Sequence, residues 1–433
     1  MMKIFRNKKF LFIALVLLVS GVAVGVSESN SATGGYKTVE EKNSVYVRFD
    51  MEIFDKIVEN YWQAMDEAGL GELYRLAHAR AASTTEMILE TPDRAGVAQM
   101  LAKSMEQVAE EGRKELALNT GIIVLANLVP QGRSGLLGEQ DETAFRDNVN
   151  NINRERNLYE SLGLADKSDI ESVEQAYEEQ RRELEKDPSP EAEVKLKEIA
   201  YARDVLKDEG SKAIYDETKG EPTLVSREET GGTLYLDLSK ISNTTLQEVA
   251  NQLTKYSLEN PPKGLIIDLR GNTGGALDFA KYFLSFFLGP NQYAYDLFQQ
   301  GEYHPERTPN FAKVEYLGDL KDVAVLIDGV SQSTSELLAT SFKRFRLGKI
   351  VGKQSKGWGT VENTFSLETT LGDGNKYSVL LVHSLTLRDD GEPIEGRGVD
   401  PDINIENEGW QSLLSNQFES KTFIADLVRV VGQ

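Results

Sequence analysis

Two short apolar runs constrain the fold more than any other feature of this chain. They lie in "GLIIDLRGNTGG" (264–275) and "DVAVLIDG" (322–329). Each is too short for a helix and ends in turn residues. Neither alternates, so each predicts a strand buried on both faces, as in a parallel sheet. "GTLYLDLSKI" predicts a strand before them, and "TTLQEVANQLTKYSLE", "LDFAKYFLSFFLG" and "TSELLATSFKRF" predict helices among them. "KIVGK" reads as a short strand, and "TFSLETTLGDGNKYSVLLVHSLTL" as a hairpin turning at 372–375. Strands alternating with helices make 222–433 an α/β core with a partly parallel sheet.

The chain before this core is helical. "MEIFDKIVENYWQAM" carries Ile53, Phe54, Ile57, Val58, Tyr61, Trp62 and Met65 at helical spacing, which predicts a helix continuing through Met65. "GELYRLAHARAAS", which contains His78, and "AGVAQMLAKSMEQVAEEG" predict two more. "LVPQGRSGLLGEQD" reads as a loop because of its Pro and Gly content. These segments define a helical region over 31–150. Residues 155–218 are highly charged and predict a helical hairpin, with Ser168 and Glu171 in a capping-box pattern.

At the N-terminus, basic residues from Lys3 to Lys9 precede an uncharged, mostly apolar run from Phe10 to Val26. Residues 1–30 therefore read as a signal peptide or an uncleaved membrane anchor. The body of the protein is then expected outside the cytoplasm, in the periplasm or cell envelope. The net charge of −21 opposes nucleic-acid binding, which needs a basic footprint. With no cysteine, thiolate chemistry and disulfides are excluded. The three histidines, His78, His304 and His383, include no pair with metal-ligand spacing, so no metal and no cofactor is expected.

The hairpin segment resembles a J domain through "LYESLGL", "QAYEEQRREL", "EAEVKLKEIAYARDVLKD" and "SKAIYD". J domains stimulate a chaperone ATPase through His-Pro-Asp between their long helices. Here Glu185, Lys186 and Asp187 occupy that place. The resemblance implies a J-like fold without that stimulation.

Ser333 follows one buried strand and opens a helix. A helix N-terminus offers unpaired N–H groups and a positive dipole end, which suit a developing oxyanion. The same residues, Ser333 and Glu336, also satisfy a plain capping box. The turn after the other buried strand supplies Gly271, Gly274 and Gly275, which let a backbone come close to a substrate. Its spacing fits neither a dinucleotide fingerprint nor a P-loop.

Taken together, 222–405 resembles the C-terminal processing (tail-specific) serine protease family. "GLIIDLRGNTGG", "GVSQSTSELLA" and "GEPIEGRGVDPDI" match its three ordered motifs. The resemblance implies a multidomain α+β protein whose α/β core is ClpP/crotonase-like, acting on unstructured polypeptides. It makes Ser333 the nucleophile, with an oxyanion hole from the N–H of Thr334 and one from the Gly274–Gly275 turn. The family's general-base lysine falls 25 residues after the serine and a glutamine helper four residues later. Those positions hold Trp358 and Glu362. Gly352, Gly357 and Gly359 fix the register. An indole donates one hydrogen bond and accepts no proton.

Lys356, placed on an extended strand, would share a face with position 358 at about 7 Å. It is the candidate substitute base, with Glu362 as an orienting group and His383 a weaker alternative. Trp358 is a candidate substrate contact. The family's PDZ domain has no counterpart here, and the J-like segment stands in its place. Two functions therefore stay open: a serine endopeptidase with an unfamiliar base, and a pseudopeptidase that binds polypeptides or partner proteins.

Overall fold

A computed structural model describes residues 36–372 and 374–432. The expected signal or anchor segment lies outside them. Among the described residues no helix is long and apolar enough to cross a membrane.

Five helices come first: α1 (Val39–Asn43), α2 (Val45–Asn60), α3 (Glu67–Ala81), α4 (Arg94–Glu106) and α5 (Glu110–Ala126). Side chains of Ser44, Asp66 and Asp93 cap α2, α3 and α4. Helix α2 ends five residues before the expected Met65. Tyr61 turns extended (φ −69°, ψ 144°), and the Trp62 N–H leaves the helix for the Val382 carbonyl at 2.9 Å. The Pro/Gly-rich stretch read as a loop contains a strand, β1 (Gly135–Gly138), followed by α6 (Glu139–Val149). Its hydrogen-bonding partner lies about 240 residues away, where Gly135 faces Leu380.

Next come α7 (Leu158–Ser161), α8 (Ile170–Leu184), α9 (Pro190–Lys207) and α10 (Glu209–Thr218). They close around Leu158, Tyr159, Val173, Ile199, Leu206 and Tyr215. Asp169, not Ser168, caps α8, its side chain accepting the Ser172 N–H. Glu221 ties this unit to the next strand, taking bonds from Arg156 Nε (2.9 Å) and the Tyr201 hydroxyl (2.8 Å).

The remaining chain runs β2 (Leu224–Glu228), β3 (Thr233–Leu238), α11 (Thr245–Leu253), β4 (Gly264–Asp268), α12 (Phe279–Leu288), β5 (Tyr293–Gln299) and β6 (Glu302–Arg307). It continues with β7 (Val323–Ile327), α13 (Thr334–Phe345), β8 (Lys349–Gly352), β9 (Thr360–Ser366), β10 (Tyr377–Thr386), β11 (Ile403–Asn404), α14 (Trp410–Leu414) and α15 (Lys421–Val431).

Six strands form one sheet in the order β11-β8-β7-β4-β3-β2, parallel except at β2. Every residue of β4 and β7 is buried, as their unbroken apolar runs require. Leu265, Ile267, Val325 and Ile327 face a core shared with Phe283 of α12 and Leu338 of α13. The alternate residues Ile266, Ala324 and Leu326 meet Phe423, Leu427 and Val430 of α15. This two-residue alternation sandwiches the sheet between helices.

The second sheet is antiparallel, in the order β1-β10-β5-β6, with β9 on the other edge of β10. The N-terminal helices pack on it. Phe49, Ile53 and Leu101 share one core with Val379, Leu381 and Leu385.

Candidate active site

Both central strands deliver their following loops to the same sheet end, where open α/β sheets collect ligands. After β7, Asp328 shapes the turn. Its carboxylate accepts the N–H groups of Gly271 (3.0 Å), Val330 (2.9 Å) and Ser331 (3.0 Å). Burial pushes that carboxyl up, but these donors outweigh it and hold it below the usual range. One acid thus joins the two loops. Ser333 then takes φ 58°, ψ −124°, a left-handed conformation unfavourable for a residue with a Cβ. Such strain persists only where the surroundings enforce it and is common at functional sites. A sharp, strained strand-to-helix turn of this kind exposes a nucleophile above a sheet. The Glu336 N–H goes to the Ser333 carbonyl at 2.9 Å, and the Ser333 hydroxyl makes no cap bond to its own helix.

The glycine turn after β4 presses directly against this serine. A Cβ on Gly274 would lie 2.7 Å from Ser333 Cβ and 2.8 Å from the Gln332 carbonyl oxygen, at a φ of 84°. On Gly275 it would lie 1.7 Å from the Ile241 carbonyl oxygen. Buried Asn272 organises the turn. Its Oδ1 accepts the Gly274 N–H and the Ser335 hydroxyl, both at 2.7 Å, and its Nδ2 donates to the Leu238 carbonyl at 2.5 Å. The Gly274 N–H is therefore committed to Asn272. Gly275 and Thr334 are the turn and helix residues left to offer amides toward the serine. The Thr334 hydroxyl donates to the Gly275 carbonyl at 3.0 Å and links the two.

The third piece is the segment between β8 and β9. Residues 353–359 form no strand, so the extended geometry expected for Lys356 does not occur. Lys356 is exposed on this loop, its N–H donating to the Ser331 carbonyl at 2.9 Å. The loop is fastened to the Ser333 helix by Glu336, which is fully buried. Its Oε1 accepts the Ser355 hydroxyl (2.5 Å) and the Gly357 N–H (2.6 Å). Its Oε2 accepts the N–H groups of Trp358 (2.8 Å) and Ser333 (2.9 Å). Burial raises this carboxyl, and the four donors offset only part of that rise.

Trp358 is half-buried beside the serine, its carbonyl accepting the Ser333 N–H at 3.1 Å. Its indole N–H points to Glu362 Oε1 at 3.3 Å, which the Thr360 hydroxyl also approaches at 2.6 Å. Burial raises the Glu362 carboxyl against the opposing pull of Thr360, Trp358 and the Arg133 charge. The Arg133 guanidinium lies over the indole, 3.4 Å from the ring centroid. It also donates to Thr360 (2.7 Å) and pairs with Glu395 (3.1 Å), which accepts the Gly359 N–H at 2.9 Å. His383 sits at a bulge in β10, stacked on Phe365. Burial, then the charge of His304, lowers its pKa.

The fold thus brings Ser333, Thr334, Gly274, Gly275, Trp358 and Glu362 into one neighbourhood and leaves the Lys356 side chain to solvent. Sequence reading missed Asn272, Asp328 and Arg133 as site residues, and it saw Glu336 only as a helix cap. Asn272 stood inside a quoted motif, whereas Arg133 carried no local signal. Among the described residues no cluster of three or more His, Asp or Glu side chains could hold a metal ion.

Residues 232–405 match the family model described as peptidase family S41. A "Probable CtpA-like serine protease" of Staphylococcus aureus (strain COL) is 28% identical over 178 residues, 41% of this chain and 34% of the relative. A carboxy-terminal-processing protease of Bartonella bacilliformis is 30% identical over 175 residues, 40% of this chain and 38% of the relative. The match spans little more than a third of these curated relatives. Among solved structures, the photosystem II D1 C-terminal processing protease has a TM-score of 0.35 at 18% identity, covering 49% of this chain and 53% of its own. A lipoprotein from Streptococcus agalactiae has a TM-score of 0.44 at 15% identity, covering 86% and 97%.

Proposed function

We propose that this protein, whose residues 232–405 match peptidase family S41 and resemble a carboxy-terminal-processing protease, captures unstructured polypeptides at the Ser333 site without hydrolysing them. The observation that carries this reading is the fixed indole beside the serine. A serine hydroxyl needs a base to become a nucleophile. Trp358 stands at the position of the family lysine, held by Glu362 and Arg133, and has only a donor to offer. Losing one member of such a catalytic unit costs on the order of 10⁴-fold or more. The strained serine, its glycine turn and the helix N-terminus are retained, which suits a cradle for an extended backbone. Lys356, exposed on its loop, is not the group we assign as a base.

The test is incubation of the protein and its Ser333→Ala variant with a permanently unfolded protein. The expected result is binding by both and cleavage by neither. Cleavage that the substitution abolishes would overturn the proposal. Trp358→Lys is expected to introduce Ser333-dependent cleavage, since a positioned base is worth roughly 10²–10⁴-fold.

A second reading rests on Glu362. Burial raises its carboxyl, making it a stronger base than an exposed glutamate. In that reading the protein is a serine endopeptidase, and Glu362→Gln removes the cleavage that Ser333→Ala also removes.

The proposal extends to the remaining regions. The N-terminal apolar segment supports export of the body to the periplasm or cell envelope, which cell fractionation tests. The core is ClpP/crotonase-like, and 155–218 is a J-like interaction module standing where relatives of this type carry a PDZ domain. Unchanged polypeptide binding after deletion of 157–216 would remove that role.

A further inference from the structure

We propose that Arg133, which lies outside residues 232–405, is a positioning residue of the Ser333 site, so that the helical region completes the site. Three kinds of contact converge on this one guanidinium. It stacks on the Trp358 indole, donates to Thr360 and pairs with Glu395. A planar guanidinium can do all three at once, because stacking uses its face and hydrogen bonding its edge. Only 13% of the side chain is exposed, so the contacts are little weakened by water.

Arg133 is itself held firmly. Its neighbour Ser134 accepts the Val382 N–H at 3.3 Å, and the next residues pair with β10. The Trp62 indole and the Tyr61 hydroxyl both donate to the Val129 carbonyl, tying the same loop to the end of α2. From this base Arg133 reaches two sides of the serine's neighbour. Over the ring it fixes the indole. Through Glu395 it fixes the Gly359 amide, one residue further on. The Trp358 carbonyl then receives the Ser333 N–H. A displacement of the helical region relative to the core would therefore reach Ser333 through two residues.

The chain has three tryptophans, so 5-fluorotryptophan labelling of the full chain gives three ¹⁹F signals. Loss of one signal in Trp358→Phe assigns that residue. The indole N–H points to Glu362, so this signal follows the Glu362 carboxyl as pH changes. Its charged surroundings are Arg133, Glu395 beyond it, and Glu336 on the far side of Trp358. In Arg133→Gln the Trp358 signal is expected to move and broaden, and its titration midpoint to rise as the neighbouring cation is lost. Arg133→Lys keeps the charge but not the planar fork, so it is expected to restore the midpoint and not the signal position. Glu395→Gln, a milder change, should move the signal in the same direction by less. An unmoved signal and midpoint in folded Arg133→Gln, or in Glu395→Gln if the first variant does not fold, would overturn the assignment. Binding of a reduced, carboxymethylated polypeptide should also weaken about tenfold in Arg133→Gln. That last measurement rests on the polypeptide-binding reading. If the unaltered protein binds no polypeptide, that reading fails, and the ¹⁹F result still decides the role of Arg133.

Discussion

Replacing Glu336 by glutamine should cost far more than so small a change suggests. The carboxylate presents two oxygens to four donors, at 2.5 to 2.9 Å. Glutamine keeps one oxygen. In its best orientation that oxygen stays with the amides of Ser333 and Trp358, and the new NH₂ faces Ser355 and Gly357. The Ser355 hydroxyl can turn and accept, although it already takes the Val399 N–H at 2.7 Å. The Gly357 N–H cannot, and a buried N–H without a partner costs about 1–3 kcal/mol. The two bonds that survive lose their charge assistance, roughly 1 kcal/mol each. The sum is about 4 kcal/mol, a large part of the roughly 5–15 kcal/mol that holds a typical domain together. Urea unfolding of the two proteins measures it. Because the loop at 355–358 comes loose from the Ser333 helix, polypeptide binding should fall as well. A loss below about 1 kcal/mol with binding intact would refute the view that this acid is the joint of the site.

Gly275→Ala places a methyl 1.7 Å from the Ile241 carbonyl oxygen at a φ of 140°. Conformational strain and overpacking together should destabilise the core by about 3 kcal/mol or more, read by thermal unfolding, and abolish polypeptide binding. His78 is fully buried with Thr120 at 2.8 Å, and burial lowers its pKa to about 4. An unfolded histidine titrates near 6.5, so its contribution is present above that pH and is lost as pH falls towards 4. Between pH 7.5 and 4 the chain should lose about 3 kcal/mol more than its His78→Gln variant in urea titrations. Equal losses would mean that the imidazole is charged inside the fold.

The parallel strands were legible because burial on both faces leaves an unbroken apolar run, and Ser333 was legible from its place after one of them. The register that puts Trp358 in the base position came from glycines, whose close approaches are visible in sequence. Gly357 and Gly359 indeed leave no room, with a Cβ at 3.0 Å and 2.3 Å from neighbouring amides. Strand β1 was hidden because Gly135 and Gly138 read as punctuation, and its pairing with β10 has no local trace. Helical spacing persisted through Tyr61 and Trp62 although the helix had ended. Both residues still face apolar neighbours, but from non-helical backbone, extended at Tyr61. Arg133 was the least legible, since its role depends on three partners more than 220 residues later.

The core that unites Phe49, Ile53 and Leu101 with Val379, Leu381 and Leu385 sets a timetable for the newborn chain. Its helices leave the ribosome well before the strand that covers them. Until that strand emerges the face lies bare, while the intervening helical unit can already close around its own apolar centre. Long-range closure of this kind is slow and leaves apolar surface open to aggregation. A polypeptide halted between Leu128 and Tyr377 would carry the whole helical half of this core without the strand that shuts it.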